Sequence, residues 1–182
     1  DASWATRVDA DGMTCLHRAV RPRRHDGPKK PTAVTRRLLE AGADVHARNP
    51  QEEQMQPIHH CGEWSACTEQ VDLLLEHGAE IEARDEDSNT PLHFASFQNS
   101  TDVARLLIEK GAVVNVGNWF MPLHIAAQKD FLDVASLLIE KGADVNARND
   151  SVWTPLHLAA WSNSTDAARL MIEKGAEIDA RD

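Results

Sequence analysis

The chain has 182 residues, of which 42% are hydrophobic and 26% charged, a composition typical of a folded protein in water. Its formal net charge is −10: residues 1–48 carry ten Lys and Arg against six Asp and Glu, whereas residues 49–182 carry nine against twenty-three. The acidic body argues against nucleic-acid binding. No apolar run approaches the ~18 residues that cross a bilayer, which argues against membrane insertion.

The N-terminal segment, DASWATRVDADG, lacks the basic-then-apolar layout of a signal peptide. We take residues 1–8 as an N-terminal cap or tail and expect a cytoplasmic or nuclear protein. The three cysteines, Cys15, Cys61 and Cys67, are odd in number and lack the paired spacing of a zinc site. We therefore expect free thiols with a structural role, in agreement with a reducing compartment.

A repeated unit fills the chain. Gly-Ala pairs recur at intervals of 36, 33, 31 and 33 residues, at Gly42, Gly78, Gly111, Gly142 and Gly175. Each pair ends an apolar-charged run such as RLLIEKGAV, and each run follows a second marker, TPLH in its best copies. Self-similarity at this period indicates a repeat architecture. We predict one domain over 1–182 with five repeats, at about 9–48, 49–84, 85–117, 118–148 and 149–182.

Each unit is predicted to form two short helices. Thr154 is a suitable N-cap for the first, and Pro155 fits its first position, where no backbone N–H is needed. Ser-Thr-Asp at 164–166 can cap the second helix, and Gly175 can end it in the left-handed conformation. A helix pair this short cannot bury its apolar side alone, so neighbouring units must stack into one core.

These segments, with TPLHLAA and GADVNAR among them, resemble the ankyrin repeat over roughly residues 9–182. The resemblance implies an all-α solenoid of stacked antiparallel helix pairs with projecting β-hairpin fingers, in which the first helices and the fingers line a concave surface. It also implies a structural role for a histidine that recurs at one position in every unit, tying adjacent finger backbones together by hydrogen bonds. These histidines are His17, His59, His93, His124 and His157.

Three units depart from the pattern. The first contains RPRRHDGPKKP at 21–31, which is either an insertion without a binding role or a basic element that docks a partner. The second has a longer finger and places Trp64 between its helices, where the indole either shields the loop or stands exposed. The fourth has a finger two residues shorter, and Met121 replaces the capping Thr, a loss of about 1 kcal/mol for that helix.

Large aromatic residues occupy two repeated positions in the last three units. Phe120 and Trp153 lie two residues before the Pro, next to Trp119 in the fourth unit, and Phe97 and Trp161 lie six residues after it. The resemblance implies that both positions face the concave side. A contiguous apolar patch on a monomer usually binds something; packing of these rings on neighbouring fingers is the alternative. The predicted partner-binding residues are Phe97, Trp119, Phe120, Gln128, Trp153 and Trp161.

No catalytic chemistry is predicted. The sequence lacks a phosphate-binding glycine loop, a G-x-S-x-G nucleophile and a cysteine paired with a base. His59, His60 and Cys61 are adjacent and diverge on a short helix, so we expect neither a metal nor a cofactor. The predicted function is a non-catalytic module, monomeric by itself, that binds a protein partner on its concave face through the aromatics of units three to five.

Two alternatives stay open. The chain could be a scaffold segment of a longer multidomain protein, with the aromatics contacting other parts of the same polypeptide. It could also be an engineered or selected ankyrin binder, since the aromatics lie at positions that vary among ankyrin repeats. The identity of the partner does not follow from the residues.

Overall fold

The computed structural model describes residues 7–21, 32–63, 67–117 and 119–178. The basic segment at 22–31 and Trp64 lie outside these residues, so the alternatives for both stay open. The described residues are all-α, as predicted, with ten helices and no extended strand. The helices are α1 (Cys15–Val20), α2 (Thr32–Glu40), α3 (Pro57–Gly62), α4 (Thr68–Glu76), α5 (Pro91–Phe97), α6 (Thr101–Glu109), α7 (Pro122–Gln128), α8 (Leu132–Glu140), α9 (Pro155–Trp161) and α10 (Thr165–Glu173).

The helices form consecutive pairs. Each odd-numbered helix packs against the even-numbered helix that follows it, and connections as short as residues 98–100 join the two members. The odd-numbered helices also contact one another in order from α1 to α9, and the even-numbered helices do the same from α2 to α10. Two adjacent rows of stacked helices result, which confirms the predicted solenoid.

One apolar core runs along the stack. It extends from Leu16 in the first pair to Met171 in the last. Small residues let the odd-numbered helices approach closely, and Gly62 at the end of α3 is the clearest case. A Cβ at this position would lie 2.7 Å from Cβ of Phe94 and 2.8 Å from the backbone nitrogen of Ala95. Helices α3 and α5 therefore pack at backbone contact distance.

The ends of the even-numbered helices follow the sequence signals in one respect and depart from them in another. The glycine after each helix is left-handed, as predicted, with φ between +86° and +104° at Gly42, Gly78, Gly111, Gly142 and Gly175. The predicted serine cap of α10 is wrong, because the Ser164 hydroxyl donates to the Gln128 carbonyl at 2.9 Å instead. A carboxylate oxygen of Asp130 accepts the N–H of Ala167 at 2.7 Å. At the start of α10, the Ser164 hydroxyl and the Ala167 N–H therefore find their hydrogen-bond partners in the preceding helix pair.

The fingers are the segments that precede the odd-numbered helices. Asn49 and Met55 form an isolated antiparallel bridge in one finger. In the finger before α9, the side-chain oxygen of Asn149 accepts the N–H groups of Ser151 and Trp153 at 3.0 and 2.9 Å. The described fingers are therefore hairpin-shaped turns closed by single bridges and side chains, since they are too short for a strand ladder.

In three units, a side chain at one repeated position bonds to the backbone of the following unit. Asn115 donates to the carbonyl of Gly142 and accepts the N–H of Asp144, both at 3.0 Å. Asn146 makes the same two bonds one unit later, at 3.3 and 2.9 Å. Glu82 accepts a backbone N–H of the following unit at 3.0 Å. These bonds hold the fingers in register along the stack.

Candidate functional site

In the first four pairs, a buried histidine of the odd-numbered helix bonds to the backbone of the finger that follows, which agrees with the link between fingers that the resemblance implied. The contacts run from His17 Nε2 to the Met55 carbonyl (3.1 Å), from His59 Nε2 to the Ala83 carbonyl (3.0 Å), from His124 Nε2 to the Trp153 carbonyl (2.9 Å) and from the His93 ring to the backbone of Phe120. Burial lowers the pKa of His17 and His93 to about 4 and lowers the pKa of His59 and His124 as well. The neutral rings therefore have a structural role.

The other ring nitrogen of these histidines faces the residue before the helix. The hydroxyls of Thr14, Thr90 and Thr154 lie 2.8, 2.9 and 2.8 Å from Nδ1 of the histidine three residues later. Met121 occupies this place in α7 and makes no cap bond, and Nδ1 of His124 is buried there without a hydrogen-bond partner. The predicted loss of a cap at Met121 is confirmed, and it leaves a buried nitrogen unsatisfied.

The aromatic residues singled out in the sequence are largely accessible. Trp119 is 61% exposed, Trp161 62%, Phe97 47% and Phe120 40%. Trp153 and Gln128 are half-buried. Rings that merely filled the stack would be covered by neighbouring helices, so the exposed four are not core residues.

Contacts hold several of these rings in place. The indoles of Trp153 and Trp161 pack edge to face with centroids 5.4 Å apart. The ammonium of Lys129 lies 4.1 Å from the centroid of the Phe97 ring, a cation–π contact. A finger and the ends of α5 and α9 therefore contribute to ordered, accessible aromatic surface.

The shortened finger before α7 is fixed through its backbone. The carbonyl of Trp119 accepts a bond of 2.8 Å from the side-chain amide of Asn149. Gly117 has φ +120°, and a Cβ there would lie 2.7 Å from Nε2 of His93 and 3.1 Å from the carbonyl of Phe120. Only glycine permits this close approach. The main chain is thus tied down while the two aromatic side chains remain exposed.

A groove lies between the fingers and the odd-numbered helices. Its volume is about 340 Å³, and its lining residues are Glu53, Asn89, His93, Phe94, Phe97 and Ile125. Phe97 was expected here, but Phe94 and Ile125 were missed. Both lie three residues after the helix-initial proline, the position of Leu158 in the last pair. Comparing that position across the units would have identified them.

The corresponding surface of the first two pairs is charged. Arg21 Nη1 lies 2.7 Å from a carboxylate oxygen of Glu52, and Arg21 Nε lies 3.5 Å from one of Glu63. The buried ring of His60 lies 3.6 Å from both carboxylates. Burial alone would raise the pKa of Glu63, but the neighbouring His60 ring and the charge of Arg21 lower it overall. The charge of Arg21 is therefore balanced by the carboxylates of Glu52 and Glu63 on this surface.

No group of three or more His, Cys, Asp and Glu side chains in the part of the chain that the structure covers is placed to hold a metal ion. The three cysteines are free, with Cys15 exposed and Cys61 and Cys67 buried. No helix among those described is long and apolar enough to cross a membrane.

Stacked helix pairs, a finger before each pair and histidines that bond α1, α3, α5 and α7 to the next finger define a helical-repeat protein. The sequence matches the family of "Ankyrin repeats (3 copies)" over residues 28–118 and 118–182. The chain therefore belongs to the ankyrin repeat family.

Several curated proteins are similar to parts of the chain. The "Ankyrin repeat protein OPG189" of Variola virus is 32% identical over 118 residues, which are 62% of this chain and 20% of that protein. The "Putative ankyrin repeat protein FPV233" of Fowlpox virus (strain NVSL) is 49% identical over 47 residues, 25% of this chain and 9% of that protein. The Homo sapiens "Protein fem-1 homolog C" is 44% identical over 46 residues, which are 25% of this chain and 8% of that protein. The chain thus matches one fifth or less of the length of these relatives.

Proposed function

We propose that the chain is a single domain of five ankyrin repeats that binds a protein partner, without catalysis, on the concave face formed by its fingers and odd-numbered helices. Ankyrin repeats generally mediate protein–protein interaction, and the family assignment supports that part of the proposal. The binding residues of this proposal are Phe97, Trp119, Phe120, Gln128, Trp153 and Trp161.

The exposure of four large aromatic side chains is the observation that carries the proposal. Each of these rings is at least 40% exposed, and two belong to the short finger before α7. Exposed apolar patches on soluble proteins usually mark interaction sites. Binding energy in interfaces is concentrated in a few such anchors, with Trp prominent, each worth about 2 kcal/mol or more.

The features of the finger before α7 support the same surface. This finger lost two residues, and the following helix lost its threonine cap, yet Trp119 and Phe120 remain outside the core. Two costs to local stability without added packing are what a functional site shows when binding offsets them.

A triple variant tests the proposal. Trp119→Ala, Phe120→Ala and Trp161→Ala are combined, and binding to a displayed library of folded domains is compared with that of the wild type. The matched control combines Val34→Ala, Leu132→Ala and Ile172→Ala, which are exposed apolar residues of even-numbered helices.

We expect the first variant to lose its partners, with stability reduced by at most about 1–2 kcal/mol, because its side chains are mostly exposed. We expect the control to keep its partners. If both variants bind equally well, the aromatic face is not the binding site. If the first variant unfolds, the rings act in packing.

A further inference from the structure

We propose that the groove lined by Phe94, Phe97 and Ile125 binds a basic peptide segment of the partner, with an apolar side chain in the groove and a Lys or Arg against Glu53. This inference rests on the proposed function and names the chemistry of the partner. It is carried by the shape of the groove and by the distribution of charge around it.

The floor of the groove fits an apolar anchor. Phe94 and Phe97 come from α5 and Ile125 comes from α7, so two neighbouring helices supply an apolar floor. The volume of about 340 Å³ is at the low end for ligand sites. It accommodates a large side chain of a peptide, such as Leu, Met or Phe.

The finger side of the groove is anionic. Glu53 lines the groove, and its carbonyl accepts the N–H of Glu86 at 2.7 Å, which joins two fingers. Slight desolvation of the largely exposed carboxylate and the charges of Asp87, Asp85, Glu86 and Glu52 raise the pKa of Glu53. The carboxylates therefore repel one another, and a cation placed among them would relieve that repulsion.

Among the described residues, part of this negative charge has no ion-pair partner. Glu52 pairs with Arg21, and Asp85 accepts two bonds from Asn89. By contrast, none of the ion pairs among the described residues includes Glu53, Glu86 or Asp87, and all three residues are exposed. Arg48, on the same two fingers, donates to the carbonyl oxygens of Gln54 and Arg84.

A cation beside the groove gives the peptide a direction. Lys129 follows the last residue of α7, and its ammonium lies over the Phe97 ring, 4.1 Å from the centroid. A basic residue of the peptide is therefore attracted to the finger side and repelled from the α7 side. Complementary charge of this kind fixes orientation and accelerates association more than it adds affinity.

Selection from a random-peptide display library tests the inference. Peptides enriched on the wild type are synthesised, and their Kd values are measured by fluorescence anisotropy at low and high salt. One variant combines Glu53→Gln, Glu86→Gln and Asp87→Asn. Its matched control, Glu109→Gln, Glu140→Gln and Glu173→Gln, makes the same charge change at exposed ends of even-numbered helices. Phe97→Ala tests the floor.

We expect the enriched peptides to share an apolar residue next to Lys or Arg. The Kd of these peptides should rise about tenfold in the Glu53 variant, which combines Glu53→Gln, Glu86→Gln and Asp87→Asn, and should depend less on salt. The Kd should not change in the control variant. Phe97→Ala should raise Kd about tenfold or more.

Two other results would overturn the inference without overturning the proposed function. Peptides that need Phe97 but lack basic residues, and that bind the Glu53 variant normally, would refute the charge of the partner and leave the proposed function intact. If no peptide is enriched, or if enriched peptides bind the Phe97→Ala variant normally, this inference fails, whereas the proposed function is decided separately by the binding of folded domains to the triple aromatic variant.

Discussion

The indole rings of Trp153 and Trp161 pack edge to face, with centroids 5.4 Å apart and planes at 77°. Trp153 belongs to the finger before α9, and Trp161 is the last residue of that helix. The contact therefore holds a finger against a helix end while most of the Trp161 ring stays accessible. A partner would meet an indole that is already ordered, so less side-chain entropy would be lost on binding.

The energy of this ring pair can be measured by a double-mutant cycle. Trp153→Ala and Trp161→Ala are made singly and together, and free energies of unfolding are determined in urea. We expect a coupling of about 0.5–1.5 kcal/mol, the range of edge-to-face aromatic pairs. The control cycle pairs Trp161→Ala with Val34→Ala, which lies in α2 at the other end of the stack. A coupling no larger than that of the control would contradict an energetic role for the ring contact.

The missing cap of α7 predicts a stabilising substitution. Met121→Thr should raise the free energy of unfolding by about 1 kcal/mol, because the hydroxyl can reach Nδ1 of His124, which is buried without a partner. Met121→Val is the matched control, since valine has the shape of threonine without the hydroxyl. Urea denaturation of both variants gives the difference. Equal stability of the Thr and Val variants would show that the hydroxyl finds no partner there.

The close contact between α3 and α5 predicts that a substitution of Gly62 destabilises the protein. Gly62→Ala should lower the free energy of unfolding by about 1–3 kcal/mol, although alanine favours helices, because the added Cβ meets backbone atoms of Pro91 and Ala95 at 2.8 Å. Gly78→Ala serves as the control: its Cβ would meet nothing within 4 Å, and only its φ of +92° would oppose the change. Thermal and urea denaturation report both effects. No loss of stability in Gly62→Ala would mean that the two helices move apart readily.

The buried histidines predict a loss of stability in mild acid. The folded pKa of His17 and His93 is about 4, below the ordinary value of 6.5, so the unfolded chain binds more protons between these limits. Their contribution to stability is present above pH 6.5 and is lost as the pH falls towards 4, at up to about 1.4 kcal/mol per pH unit for each histidine. Urea midpoints measured across this window check the slope.

A variant tests whether a buried histidine causes the dependence of the free energy of unfolding on pH. His93→Gln removes one titrating ring and retains an amide that can donate to a carbonyl. We expect this variant to be less stable at neutral pH but to lose less stability between pH 6.5 and 4. An unchanged slope would show that other groups dominate the acid response.

Local signals explain how much of the fold could be predicted. Pro155 begins α9 and the left-handed Gly175 follows α10, as the sequence indicated, because both residues act through their own backbone geometry. The prediction for Ser164 was wrong, because its hydroxyl donates to the Gln128 carbonyl of the preceding pair instead. A side chain with two possible partners is decided by packing, which the local sequence does not contain.

The candidate site was predicted less completely, for a related reason. Aligning the units identified the repeated positions of Phe97, Phe120 and Trp161, and these side chains are exposed. A concave surface between fingers and first helices was expected, but most of the residues that line the groove were missed, because they come from two fingers and two helices that are 30 or more residues apart, such as Glu53, Asn89 and Ile125. Aligning the units with one another did not predict the contact between Trp153 and Trp161 either.

The sequence by itself determined the repeated unit, the signals that begin and end its helices and the positions that carry aromatic residues, because each of these depends on residues a few places apart. Only the tertiary structure decided which rings touch, which stay exposed and where carboxylates of two fingers lie beside an apolar floor. Those properties arise when separate units stack, since stacking removes some surfaces from water and brings charges from different fingers together.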